Sequence, residues 1–212
     1  MSSRGRGVAV AMAATLLLAG ALPAQELQPR PNVAPSGRVT TSVSFDGRVL
    51  LPDGWFTGTP AHSGPSRMII DYGQPHARGR GIFGGLVPYD AVWRLGANWA
   101  TSLALDVPMR IGELDLPRGE YTLFLVPRAD GGELIVSDQT RQWGTDYDGS
   151  RDFGRTPVRR RALAEFLESL TITLVPDFPQ EDGVLPSGRL RMAWGEAEYW
   201  TEWRMIWPEP TR

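Results

Sequence analysis

Apolar and polar residues alternate with a period of two in Val39-Thr40-Thr41-Ser42-Val43-Ser44-Phe45-Asp46. Val39, Val43 and Phe45 share one face, and Thr40, Ser42, Ser44 and Asp46 share the other. That repeat predicts a strand with one buried face. Arg67 to Tyr72 is β-branched and apolar enough for a second strand, and Thr101–Val107 and Met109–Leu114 read as strands interrupted at Pro108. Pro117-Arg118-Gly119 is a turn, in which Pro presets φ and Gly closes the reversal. Tyr121 to Val126 is apolar on both faces, as in the centre of a layered β core. Asp130-Gly131-Gly132 then turns into Glu133–Ser137 to close a hairpin. Further strands are expected at Val158–Ala162, Leu170–Val175, Arg189–Trp194 and Tyr199–Ile206. In the last, Tyr199, Thr201, Trp203, Met205 and Trp207 share a face that reads as core. Ala162 to Ser169 is rich in helix formers and is expected to make a helix of about two turns. Short strands separated by frequent turns predict an all-β fold: a single-domain antiparallel β-sandwich with a long Gly/Arg-rich loop and at most one short helix.

The ends change the picture. Arg4 and Arg6 precede an apolar run from Val8 to Leu22, too short for a comfortable membrane span, and small residues follow. The pattern is that of a signal peptide over residues 1–24, cut after Ala24 (or after Ala21). Pro29, Pro31 and Pro35 then mark residues 25–37 as a flexible leader, and residues 38–212 as the β domain. The expected mature chain is periplasmic or secreted, without a membrane span, and is long enough for one domain with a full core. It has no cysteine, so that core must do without disulfides. All 22 basic side chains are arginine, set against 24 acids, and losing Arg4 and Arg6 takes the net charge from −2 to −4. Bulk charge therefore does not favour nucleic acid.

The chemistry concentrates in one stretch, from Arg78 through Trp93-Arg94-Leu95-Gly96-Ala97-Asn98 to Thr101. It holds arginines, tryptophans, a tyrosine and an asparagine between glycines. Glycines allow turns and close backbone approach, while arginine and aromatic groups are those most used in recognition. The run Asp71-Tyr72-Gly73-Gln74-Pro75, Arg78-Gly79-Arg80, Ile82-Phe83-Gly84, Leu86-Val87-Pro88-Tyr89, Val92-Trp93-Arg94 and Gly96-Ala97-Asn98 resembles the bacterial domain-of-unknown-function family numbered 2911. So do Leu116-Pro117-Arg118-Gly119-Glu120-Tyr121, Gln142-Trp143-Gly144 and Tyr147-Asp148. The resemblance implies an exported β-rich domain and no activity, so it supplies no catalytic residue. The chain departs from that pattern at Asp90, where glycine is common, and in a longer Leu50–Pro65 segment, read as a lid-like excursion.

Elimination narrows the function. Without cysteine there is no thiol nucleophile, thiolate zinc site or iron–sulfur cluster. Without lysine there is no Schiff base. His62 and His76 are the only histidines, and no Gly-x-Ser-x-Gly elbow, P-loop or dinucleotide fingerprint occurs. No catalytic residue, metal ligand or cofactor is assigned. Asp146 to Asp152 resembles a calcium loop, but Pro157 stands where the closing glutamate belongs, so it reads as an acidic turn. Arg159-Arg160-Arg161 reads as a solvated strand face.

The candidate ligand-binding residues are Arg78, Arg80, Tyr89, Trp93, Arg94, Asn98, His76 and Trp143. The three arginines suit a fork-shaped receptor for an anion, or else brace an irregular loop through its carbonyls. Tyr89 and Trp93 serve as core or as ligand platform, while Trp99 and Trp143 suit an exposed stacking surface. The reading that follows is a non-enzymatic binding module for a small anionic molecule, a glycan or an envelope protein partner. The alternative is a carboxylate-dependent envelope hydrolase using Asp71 or Asp90 beside His76.

Overall fold

A computed structural model describes residues 35–45, 66–177 and 184–206, together with the backbone of short strands at 50–51 and 54–55. The described residues belong to one compact unit running from Ala34 to Arg212. Its strands are β1 (Arg38–Ser44), β2 (Leu50–Leu51), β3 (Gly54–Trp55), β4 (Arg67–Gly73), β5 (Thr101–Leu105) and β6 (Met109–Ile111). Then come β7 (Leu114–Leu116), β8 (Gly119–Pro127), β9 (Gly131–Ser137), β10 (Asp152–Asp177) and β11 (Ser187–Met205). β2 and β3 form a separate two-residue ladder within the Leu50–Pro65 segment; the rest of that segment, His62 included, lies outside the described residues, as do Trp207 and residues 1–34.

All other strands join one antiparallel sheet of order β1-β4-β5-β8-β9-β10-β11-β6-β7. The sheet is open, with β1 and β7 as its edges. It encloses its core because β10 and β11 are long enough to serve both layers. Residues 152–159 of β10 pair with β9, while residues 159–177 pair with β11. The ends of the sheet therefore meet across the core. Phe45 lies edge-on to Trp203 at 5.8 Å, and the Tyr72 hydroxyl accepts the Ile172 amide at 3.1 Å. Tyr199, Thr201, Trp203 and Met205 are buried on one face of β11, as the alternation predicts. β8 is buried on both faces: Leu123 and Leu125 enter the main core, while Phe124 and Val126 form a smaller cluster capped by Tyr147.

The helix expected at Ala162–Ser169 does not form. Those residues are the middle of β10, and the only helical turn among the described residues is a 3-10 turn at Gly149–Arg151. A helix of two turns is marginal in water, since nucleation fixes several residues for one hydrogen bond. Here the ladder supplies partners instead, interrupted by bulges, the first of which sets the four residues between Ala162 and Leu167 against Glu196 alone on β11. The bulged stretch also reaches outward. The Glu168 carbonyl accepts from the Ala77 amide at 2.7 Å and from the Trp194 indole at 3.1 Å, and the Leu170 amide donates to Pro75 at 3.0 Å. It thus anchors the start of the Gly/Arg-rich loop.

Candidate functional site

The loop leaves β4 at Gly73 and returns to β5 at Thr101. At its far end the Ala97 amide donates to the Gly73 carbonyl at 3.0 Å. A Cβ on residue 73 would overlap the Ala97 carbonyl oxygen and sit 2.8 Å from its carbonyl carbon, so only glycine lets the two backbones touch. Beyond Thr101, Trp93 takes the next place beside β8, exchanging two hydrogen bonds of 2.8 Å with Leu125. Between these anchors Arg78, Asp90, Leu95 and Asn98 have left-handed φ of 51°, 57°, 53° and 63°. Such backbone persists only where its surroundings hold it. Leu95 is held by full burial and by the Thr101 hydroxyl, which donates to its carbonyl at 2.8 Å.

The arginines divide between two roles. Arg80 turns back on its own loop, Nε donating to the Ala77 carbonyl at 2.8 Å and a terminal nitrogen to His76 at 2.9 Å. Arg78 donates to the Pro35 carbonyl at 3.1 Å, and its amide to the Glu168 carboxylate at 2.7 Å. Both are braces. Pro35 to Gly37, read from sequence as the end of a flexible leader, are tied to this loop: Gly37 accepts the Gln74 amide at 2.8 Å. Arg94 commits only Nε, to Gly96 at 3.1 Å, and its remaining nitrogens pair with no carboxylate among the described residues.

Arg80, Trp93, Arg94 and Asn98 line a cleft of about 600 Å³ with Phe124, Gly144, Thr145, Tyr147 and Trp194. Trp93 stacks on Trp194 at 5.8 Å and 20°, and Phe124 meets Tyr147 edge-on at 4.8 Å. Gly144 lets its turn close on the loop: a Cβ there would stand 2.7 Å from the Asn98 carbonyl oxygen. The Tyr147 hydroxyl donates to Asp152, at 2.8 Å to one oxygen and 2.9 Å to the other, and accepts from Arg155 at 2.9 Å. Burial and the Asp152 carboxylate push its pKa up, so Tyr147 brings no negative charge to the cleft at neutral pH. No acid lines the cleft among the described residues.

Four of the sequence candidates lie elsewhere. His76 bridges to β10, its Nδ1 2.7 Å from the Ser169 hydroxyl. Arg78 faces Pro35, Tyr89 lies against Gly84, and Trp143 pairs edge-on with Trp99 at 5.7 Å. Asp71 is held by Arg38 and Thr40, and Asp90 by Arg128 at 3.3 Å, so neither joins His76 in a shared arrangement. Asp148 accepts the Ser150 amide at 2.9 Å, and its bonds to Ser150 hold its carboxyl below the usual range. Among the described residues no group of three or more His, Asp or Glu could hold a metal.

A family profile described as Protein of unknown function (DUF2911) matches residues 59–202. The chain belongs to the DUF2911 family. No curated protein and no solved structure matches it. In this DUF2911 chain, motifs far apart in sequence converge. Val92-Trp93-Arg94 and Gly96-Ala97-Asn98 supply one side of the cleft, and Gly144 and Tyr147 supply the other. Asp90 carries the left-handed φ that glycine adopts most easily. Phe124, Tyr147, Thr145 and Trp194 were not singled out from sequence as ligand contacts. The usable signal was the second apolar face of β8, which requires a cover, and the Tyr147-Asp148 motif that supplies it.

Proposed function

We propose that this DUF2911 protein is an exported, non-enzymatic binding module whose cleft takes a small anionic molecule bearing a flat apolar group. One observation carries the reading. The cleft combines aromatic walls with a guanidinium end of Arg94 that no carboxylate neutralises among the described residues, beside Asn98, whose amide nitrogen donates weakly to the Ser36 carbonyl at 3.5 Å. In a partly dry cleft a guanidinium is a strong anion receptor, because charge-assisted bonds are roughly twice as strong as neutral ones. The aromatic faces of Trp93 and Tyr147 suit a planar group beside the charge. The separate engagement of Asp71, Asp90 and His76 gives the hydrolase alternative no support.

Benzoate, phenyl phosphate, citrate and sulfate are suitable probes. At about 100 times Kd, a ligand of the folded state adds roughly 2.7 kcal/mol of stability, readable as a rise in Tm. Arg94→Ala should weaken binding by about 1.5 to 3 kcal/mol while leaving the fold intact. If none of these anions raises Tm, or if Arg94→Ala binds them undiminished, the reading fails. Export has its own check: the mature protein should begin at Gln25, or at Leu22 for a cut after Ala21, by intact mass, and a chain retaining Met1 would contradict it.

A further inference from the structure

On the other side of the ridge formed by Trp99 and Trp143 lies a second concavity, an open groove of about 430 Å³. Its floor is the outer face of β5 and β8, where Ser102 pairs with Thr122 and Ala104 with Glu120. Ser102, Ala104 and Thr122 are small and leave the sheet surface low, and Trp99, Arg38, Arg141 and Gln142 stand around it as walls. The geometry points to this groove as a binding site for a neutral oligosaccharide, distinct from the anion cleft.

Three observations select that ligand chemistry. Trp99 and Trp143 are 51% and 42% exposed although they touch, so the pair leaves a sizeable apolar surface to water. An amphipathic ring of this kind suits a partner with one apolar face and polar edges, as a pyranose has. Second, Ser102, Thr140 and Gln142 line the groove with uncharged polar groups, which match the hydroxyls of a neutral sugar. Third, the charges on the rim are already matched, Arg38 with Asp71 and Arg141 with Glu120 at 3.3 Å. An anion gains no net attraction there, in contrast to the Arg94 cleft. A peptide strand cannot add to the floor, because β5 and β8 each have neighbours on both sides.

The test is titration of the full mature chain with cellohexaose, chitohexaose and maltohexaose, followed by tryptophan fluorescence and calorimetry. At least one should bind with changed fluorescence and little dependence on salt. Trp99→Ala, Trp143→Ala and Gln142→Ala should each weaken binding about tenfold. Arg94→Ala should leave the sugar affinity unchanged while reducing anion affinity, which separates failure at one site from failure at the other. The proposal is overturned if no hexasaccharide binds, if binding survives both tryptophan substitutions, or if it requires Arg94. A groove that binds only peptides overturns it equally.

Discussion

Replacing Arg161 and Arg191 together by alanine is expected to lower stability at pH 7 by about 3 to 5 kcal/mol, the cost of leaving a buried charge without its partners. The charge is Glu198 on β11, whose side chain is only 3% exposed. Arg161 donates to its Oε1 and Arg191 to its Oε2, each at 2.8 Å. Burial alone would push the Glu198 carboxyl up. The bonds and charges of Arg191 and Arg161 outweigh burial and hold it below its ordinary value of 4.5. A carboxylate depressed in the folded state contributes stability above the unfolded pKa, and that contribution is lost as pH falls through the folded pKa. In the double variant burial remains and the two cations are gone, so the folded pKa rises above the unfolded one. The destabilisation should then be largest at neutral pH and shrink on acidification, as protonation removes the stranded charge. Denaturant unfolding of both proteins at pH 7 and pH 5 reads this. A loss of the same size at both values, or one well below 1 kcal/mol, would show that Glu198 is not held as described. Arg161→Ala alone should cost less, because its side chain is 57% exposed and Arg191 remains.

That buried carboxylate and its two arginines illustrate what periodicity reveals and what it hides. The alternation on Val39 and Val43 survives in β1 and carries on to Phe45 just beyond it, and that on Tyr199, Thr201, Trp203 and Met205 survives in β11, because one face of each strand meets the core. Glu198 breaks the apolar logic of its surroundings, and its partners, Arg191 on its own strand and Arg161 on β10, are connected by no local pattern. Likewise, Val158–Ala162 and Leu170–Val175 are correct as strands, yet their union into one β10 is invisible locally. The intervening Ala162–Ser169 has helix-forming residues and is decided by tertiary hydrogen bonds to β11 and to the loop. At the site, the Gly/Arg-rich stretch marks one wall of the cleft. Whether Arg80 points at a ligand or at its own carbonyls depends on the left-handed turns around Arg78 and Leu95, and those exist only in the folded chain. Of the opposite wall, Phe124 and Trp194 belong to strands that read as core from their own sequences, and Tyr147 to a segment that reads as an acidic turn.

The closest link between fold and cleft is Gly73, and Gly73→Ala is expected to cost about 3 kcal/mol, the upper end of what overpacking does. The new methyl group would meet backbone, not a side chain that could swing away, because it overlaps the Ala97 carbonyl. Neither partner can retreat easily. Ala97 donates back to Gly73 at 3.0 Å, and a Cβ on Gly96 would already stand 2.9 Å from the Gly73 oxygen. On the other side Gly144 presses on the Asn98 carbonyl and on the Arg94 side chain. Relief therefore has to come from displacing residues 94–98, which moves Arg94 and Asn98 relative to the aromatic wall. The expected result is a lower Tm together with loss of anion binding, while hexasaccharide binding in the groove falls less, since β5 and β8 are undisturbed. Gly79→Ala is the matched control. Its Cβ would enter open space, so only the positive φ of 74° is penalised, at about 1 kcal/mol, and the cleft should keep its ligand. Equal losses in the two variants would mean that the contact between Gly73 and Ala97 does not set the position of Arg94.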